Sequence, residues 1–299
     1  MNAIEIRGLT KSFKGMYALN DLNMTVPVGA IYGFIGENGS GKSTTEKLIC
    51  GHLVKDKGEI KLFGRDYTDA GVRNRVGALI ENAGCFPSSS VWDNLMMQAI
   101  NLGIKDREKE INKVLKIVRM EDSAKLKFKA CSLGMKQRIG IAMALLGDPK
   151  LLILDEPING LDTDGMRIMR EVLVDLSKIG ITILISSHIL DELEKIATHY
   201  GIIRGGKMIK EISSEEMEKR ARVFTKLKIK DTETCLELLK KEYSDVRLEG
   251  ESILIYDVEE TEKIVEFLLK NGHVVKEIEK NRIGLTEYYI EIMSGKEKN

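Results

Sequence analysis

The chain is 299 residues long, 43% hydrophobic and 31% charged, a soluble globular composition with room for one large domain or two ordinary ones. Lys+Arg and Asp+Glu both number 46, so the formal net charge is zero, which argues against nucleic acid as the main partner, since such binding usually shows a basic excess. No apolar run approaches the length of about 18 residues that a membrane span requires, so any membrane role is expected to come through another chain.

In chain order, Ile4–Arg7 and Leu22–Val26 alternate like strands, and Ala30–Ile35 is an apolar strand candidate. A glycine-rich loop follows, and then Ser43–Cys50 reads as a helix. Gly58–Gly64 is a strand bounded by glycines, and Val76–Glu81 is a short apolar run. Val91–Met120 is mostly helical in pattern, with Ile111, Val114, Leu115 and Val118 on one face. Ser132–Leu146 is a further helix, stopped by Gly147-Asp148-Pro149. Leu151–Leu154 and Ile181–Ile185 are fully apolar, the pattern of strands buried on both faces of a parallel sheet, and Thr163–Ile179 between them is amphipathic helix. This alternation points to an α/β domain. The texture changes after about Glu215. Val223–Lys230, Thr232–Tyr243, Val246–Glu249, Ser252–Tyr256, Glu259–Lys270 and Val274–Ile278 read as βαββαβ, the ferredoxin-like arrangement, with a hairpin at Gly250-Glu251. A last helix, Gly284–Met293, carries Tyr288 and Tyr289, for which core packing is the expected role. The expected domains are 1–215, with a helical subdomain at about 85–147, and 222–299, a small α+β accessory domain.

The start Met1-Asn2-Ala3-Ile4-Glu5 lacks a basic region followed by an apolar block, so no secretory signal is expected. Cys50, Cys85, Cys131 and Cys235 are far apart and form no C-x-x-C pair. Free thiols in a reducing cytosol are the expectation, rather than a metal site.

Gly36-Glu37-Asn38-Gly39-Ser40-Gly41-Lys42-Ser43-Thr44 fits the phosphate-binding pattern G-x-x-x-x-G-K-[ST], between a strand and a helix where that loop must sit. The loop can aim several N–H groups at one phosphate chain, and the positive helix end adds to the field. Lys42 would reach the outer phosphates, and the Ser43 hydroxyl would ligate Mg²⁺. Leu151-Leu152-Ile153-Leu154-Asp155-Glu156 places two acids at the carboxyl end of a strand, where α/β sheets bind ligands. Asp155 would hold Mg²⁺ through a water. Glu156, pointing to the opposite side if the strand pattern persists, would polarise the water attacking the γ-phosphate.

With these motifs, residues 2 to 215 resemble the ATP-binding subunits of ABC transporters. Cys131-Ser132-Leu133-Gly134-Met135-Lys136-Gln137-Arg138 resembles the family's signature, matching at Ser132, Gly134, Gln137 and Arg138 and departing at Cys131, Leu133 and Met135. Asn159-Gly160-Leu161-Asp162 is similar to the D-loop and Ser186-Ser187-His188 to the switch-histidine loop, which implies a γ-phosphate contact for His188. Phe13, in Thr10-Lys11-Ser12-Phe13-Lys14-Gly15, matches the aromatic that stacks on adenine. Where the family's Q-loop glutamine is expected, Glu81 stands. A glutamine both donates and accepts hydrogen bonds, whereas an ionised glutamate only accepts, so Glu81 would bind Mg²⁺ more strongly and repel phosphate in its absence. That substitution, the Ser132–Arg138 stretch and the C-terminal extension resemble the ATPases of bacitracin-resistance and lantibiotic-immunity exporters.

The resemblance implies an ATPase using ATP and Mg²⁺. It also implies a homodimer or heterodimer in which nucleotide is clamped between the Lys42 loop of one chain and the Ser132 loop of the other. A separate transmembrane permease would dock on Glu81 to about Lys129, a segment that contains Trp92, whose default role is core packing. The chain would be cytoplasmic, peripheral on the cytoplasmic face of the cell membrane, and would power export of a peptide antibiotic or similar amphiphile. The alternative is a soluble ABC ATPase acting on ribosome or DNA. One nucleotide domain, no sustained heptad run and neutral charge weigh against it. A regulatory or dimerising role for 222–299 is compatible with the transporter reading.

Overall fold

The computed structural model describes residues 1–220, 223–258 and 260–294. Contacts cluster into two compact units, Met1–Ser214 and Glu215–Asn299.

The first unit opens with two long antiparallel strands, β1 (Asn2–Phe13) and β2 (Met16–Pro27), whose pairing is broken by several register shifts. There follow β3 (Ile31–Ile35), α1 (Lys42–Ile49), β4 (Lys57–Leu62), β5 (Arg65–Asp66), α2 (Ala70–Arg73) and β6 (Val76–Leu79). A helical stretch comprises α3 (Val91–Asn101), α4 (Arg107–Ile117) and α5 (Leu133–Leu145). The remainder is β7 (Leu151–Asp155), α6 (Thr163–Lys178), β8 (Thr182–Ser187), α7 (Leu190–Glu194), β9 (His199–Arg204) and β10 (Lys207–Ser213); α8 (Ser214–Arg220) starts at the last residue of this unit and belongs to the second. One sheet is antiparallel, in the order β2-β1-β4-β5. The other has the order β10-β9-β3-β8-β7-β6, parallel from β9 to β6 with β10 antiparallel at its edge.

The apolar runs behave as their composition dictates. Every residue of β3 and β8, and the first four of β7, are buried, because helices and the second sheet cover both faces. Ile4, Leu9 and Leu22 of the antiparallel sheet share one core with Tyr32, Phe34, Ile153 and Leu184 of the parallel one, and Leu48 and Ile49 of α1 join it. Two polar ties hold the edge strand. Tyr32 donates from its hydroxyl to Glu211 (2.7 Å), and Glu211 also accepts the Thr25 N–H (2.9 Å). Glycine is required at position 77 of β6, where an added Cβ would stand 2.0 Å from the Ala144 carbonyl oxygen of α5. Gly77→Ala is therefore expected to destabilise this unit by about 3 kcal/mol through overpacking, read as a lower urea midpoint. An unchanged midpoint would refute the tight helix–strand approach.

The second unit contains β11 (Val223–Ile229), α9 (Thr232–Glu242), β12 (Val246–Glu249), β13 (Ser252–Tyr256), α10 (Thr261–Lys270), β14 (Val275–Arg282) and α11 (Leu285–Met293). All its pairings are antiparallel and the strand order is β12-β13-β11-β14, the ferredoxin-like arrangement. Leu227, Ile253 and Ile255 face Cys235, Leu239, Ile264 and Leu268 of the two helices. On the opposite face Phe224 and Tyr256 pack ring to ring at 5.6 Å. Tyr288 is buried and Tyr289 half-buried. The expected helix start at Glu259 lies outside the described residues, and the helix runs from Thr261. β14 extends four residues past the expected end at Ile278, held by its register with β11 up to Arg282.

Candidate active site

The Gly36–Thr44 loop connects β3 to α1 at the carboxyl edge of the parallel sheet. Its shape depends on close approach. A Cβ on Gly36 would stand 2.5 Å from the Ile203 carbonyl oxygen, and Gly41 adopts φ 114°, which L side chains rarely reach, immediately before the helix. Lys42 is buried, and its amine donates to the Gly36 (2.6 Å) and Glu37 (3.2 Å) carbonyls. The Ser40 hydroxyl oxygen is buried inside the loop without a hydrogen-bond partner.

Asn38, Gly39, Gly41, Lys42, Ser43 and Thr44 line one cavity together with Ala18, Asp155 and Glu156. Ser43 Oγ donates to Asp155 Oδ2 (3.1 Å), closing the gap between the loop and β7. Glu156 departs from the alternation expected of a continuing strand. β7 ends at Asp155, and Glu156 turns the chain with φ 50°, so both acids line the same cavity rather than opposite sides of the strand. Ser186, at the end of β8, fixes this turn. Its hydroxyl donates to Asp155 Oδ1 (2.8 Å) and accepts the Glu156 N–H (3.2 Å). His188 Nδ1 lies 2.8 Å from Glu156 Oε2, which joins the switch loop to the second acid.

Other expected site residues stand elsewhere. Phe13 is 44% exposed, with the Lys11 amine 5.3 Å from its ring centroid, so it is no core residue and it presents a free face. Glu81 does not line the cavity. Its backbone takes φ 65°, and its carboxylate meets the Lys47 amine of α1 at 2.6 Å, a hydrogen bond that holds its pKa below the ordinary value. Ser132 accepts the Met135 N–H (3.3 Å) and so caps α5, and Asp162 accepts the Gly165 N–H (2.8 Å) and caps α6. Neither Ser132 nor Gly134 lines the cavity of its own chain. They border the Asn159–Asp162 loop instead: a Cβ on Gly134 would meet Leu161, and one on Gly160 would meet Leu133. Trp92 is half-buried at the start of α3.

Sequence reasoning missed Ala18, Lys47 and Glu46, and it named Ser186 only as part of the switch-histidine loop. Glu46 carried a faint signal, since it lies one turn beyond Lys42 and shares its face. The bonds of Ser186 to Asp155 and Glu156 carried none, because those partners are about thirty residues away.

The loop, the hydrogen-bonded oxygen pair Ser43–Asp155 and the acid–histidine pair together suit a nucleoside triphosphate. The buried hydroxyl of Ser40, the buried amine of Lys42 and a loop too tight for side chains are a cradle for phosphate oxygens, and Ser43 with Asp155 is an oxygen donor set suited to Mg²⁺. These are the parts of an ATP-binding cassette. The comparisons agree: the ABC transporter family model matches residues 19–159, and the chain belongs to that family as an ATP-binding, ATP-hydrolysing subunit that uses Mg²⁺. It is similar to the bacitracin transport ATP-binding protein BcrA of Bacillus licheniformis, 34% identical over 98% of this chain and 97% of that protein. The lantibiotic transport ATP-binding protein SrtF of Streptococcus pyogenes is 40% identical over 74% of this chain and 95% of its own length. Among solved structures, cbiO1 of Clostridium perfringens, part of the ABC transporter complex cbiONQ, superposes with TM-score 0.66 at 28% identity, covering 73% of this chain and 91% of that one.

Among the described residues no helix is long and apolar enough to cross a membrane.

Proposed function

We propose that this chain powers export of a peptide antibiotic or similar amphiphile through a separate membrane subunit, bound at the cytoplasmic face of the membrane. Its relatives in bacitracin and lantibiotic transport support that substrate class, and BcrA aligns through the C-terminal unit as well. The ATPase unit is residues 1–215 and the accessory domain 222–299. The observation that carries the dimeric mechanism is the separation of half-sites. The cavity holding Lys42, Asp155 and Glu156 is lined without Ser132 or Gly134, so a second chain must supply its own Ser132 turn to complete it.

Within one half-site the roles follow from position. Loop N–H groups and Lys42 bind the phosphates and Phe13 stacks on adenine, while Ser43 and Asp155 would hold the metal, which would supply positive charge against the phosphates. Glu156 orients and polarises the attacking water. His188, hydrogen-bonded to it, positions that carboxylate and contacts the γ-phosphate. The partner's Ser132 hydroxyl and the N–H of Gly134, at the start of a thirteen-residue helix, meet the same phosphate. Asp162 joins the interface through the loop it terminates. Loss of the γ-phosphate removes these shared contacts and lets the halves part.

Glu81 is paired with Lys47 and would have to release it to serve the metal. Glu81→Gln is expected to raise the Mg²⁺ concentration that half-saturates ATPase activity about threefold, a modest effect because the pair is solvent-exposed. An unchanged titration removes Glu81 from the metal site.

The function is tested by co-expressing the chain with a candidate membrane subunit, a multi-span protein sought in the neighbouring reading frames. Co-purification, and peptide-stimulated ATPase activity that requires the membrane chain, are the expected results. A chain that associates with ribosomes or DNA instead would favour the soluble alternative.

A further inference from the structure

The β1–β2 hairpin presents Phe13 at its tip, beyond the reach of the sheet that holds the rest of β1. β4 pairs with β1 only as far as Thr10, opposite Lys57. Lys11, Ser12 and Phe13 run on paired with β2 alone, and register shifts fall on both sides of Lys11. A strand end of this kind turns backbone groups outward without a ladder partner. Asp56, the residue before β4, takes that place. Its carboxylate accepts the Ser12 N–H (2.7 Å), the Ser12 hydroxyl (2.8 Å) and the Lys11 amine (2.8 Å). Its own N–H donates to the Thr10 carbonyl (3.0 Å), so backbone and side chain together clasp the end of β1. The bonds from Lys11 and then Ser12 hold the carboxyl well below the usual carboxylate range, so it is ionised at pH 7.

Two contacts carry this clasp to the nucleotide site. The Lys11 amine that Asp56 holds stands over one face of the Phe13 ring, 5.3 Å from its centroid. On the other strand of the hairpin, Ala18 lines the cavity of the phosphate loop, and a Cβ on Gly41 would stand 2.8 Å from the Ala18 carbonyl oxygen. The hairpin is thus pinned to the phosphate loop through β2 and to the start of β4 through Asp56.

We propose that Asp56 is a positioning residue of the nucleotide site, fixing where the Phe13 ring stands and so strengthening the grip on adenine but not on phosphate. The proposal rests on the reading of Phe13 as the adenine platform. The bond to the Ser12 N–H carries the effect, because Ser12 directly precedes Phe13; the Lys11–Asp56 ion pair, with its carboxylate at the surface, contributes less.

The experiment measures equilibrium binding of ATP and of inorganic tripolyphosphate to the full chain by titration calorimetry, at one Mg²⁺ concentration. Tripolyphosphate has no base, so it reads the phosphate loop alone. Asp56→Ala is expected to weaken ATP binding about fivefold and to leave tripolyphosphate at the wild-type affinity. Phe13→Ala weakens ATP binding about tenfold, the scale of one lost base–aromatic stack, again without effect on tripolyphosphate. Combining the two weakens ATP binding no further than Phe13→Ala alone. Asp56→Asn keeps an oxygen for the Ser12 N–H and stays within about twofold of wild type. Asp56 is exposed, so its variants are expected to fold, and thermal melting without nucleotide checks this. Wild-type ATP affinity in Asp56→Ala, an equal loss of both ligands, or an Asn variant as weak as the Ala variant overturns the proposal. Phe13→Ala separates the two levels. If it binds ATP as the wild type does, adenine lies elsewhere and the platform reading itself is wrong; if it alone weakens ATP binding, only the role of Asp56 falls.

Discussion

Glu156→Gln is expected to bind ATP as tightly as the wild type and to hydrolyse it about a thousandfold more slowly, the scale of a lost general base. The geometry makes this a clean experiment. Glu156 is held by backbone and partner groups that an amide retains: its N–H reaches Ser186 and its side chain reaches His188 at 2.8 Å. Glutamine keeps the size and one hydrogen-bonding oxygen and loses the basic charge. The turn at φ 50° tolerates the exchange no worse than it tolerates Glu. Binding and chemistry should therefore separate. Nucleotide affinity stays level, single-turnover hydrolysis collapses, and nucleotide-bound dimer accumulates in size-exclusion chromatography because the γ-phosphate is no longer removed. Turnover within about tenfold of wild type would take the base assignment away from Glu156.

Lys42→Met should fail one step earlier. The amine is buried in the phosphate loop and held there by two carbonyls of the same loop, so the charge is positioned before any ligand arrives. Charge-assisted hydrogen bonds to phosphate contribute about 1.5–3 kcal/mol, and the loss is expected to weaken ATP binding about 100-fold at the upper end of that range. Methionine fills the same channel with a neutral stem, so the melting temperature without nucleotide should hold or rise. Equilibrium binding of ATP checks the first statement and calorimetry the second. An affinity within about threefold of wild type would mean that the loop amides alone carry the phosphate.

What could be read from the chain, and what could not, divides along the range of the interactions. The loop, the acids after β7 and the histidine after β8 are local patterns, each fixed by a few residues and by the strand that ends beside them. The C-terminal strand order was legible because its elements alternate cleanly and Gly250-Glu251 marks the hairpin. β9 and β10 were missed. Gly205-Gly206 interrupts the run, and β10 mixes charged with apolar residues as a sheet edge does, its pairing with β9 supported by the part-buried Tyr32–Glu211 bond to β3 rather than signalled by propensity. Glu156 was misdirected because alternation predicts the far side of the sheet, whereas the chain leaves the strand one residue earlier. Ser186 carries its meaning only through neighbours brought together by the fold. Glu81 was placed by motif order, but a single lysine on α1 draws its carboxylate off the cavity.

The packing of Leu133 and Gly134 against Gly160 and Leu161 has a mechanical consequence. The Ser132–Gly134 turn is thereby braced on the same short stretch of backbone that leads away from Glu156 of its own chain. On the function proposed above, in which that turn meets the partner's nucleotide, a displacement of Glu156 when a γ-phosphate departs would reach the opposite site over a handful of peptide bonds, so that hydrolysis on one side would retune the other.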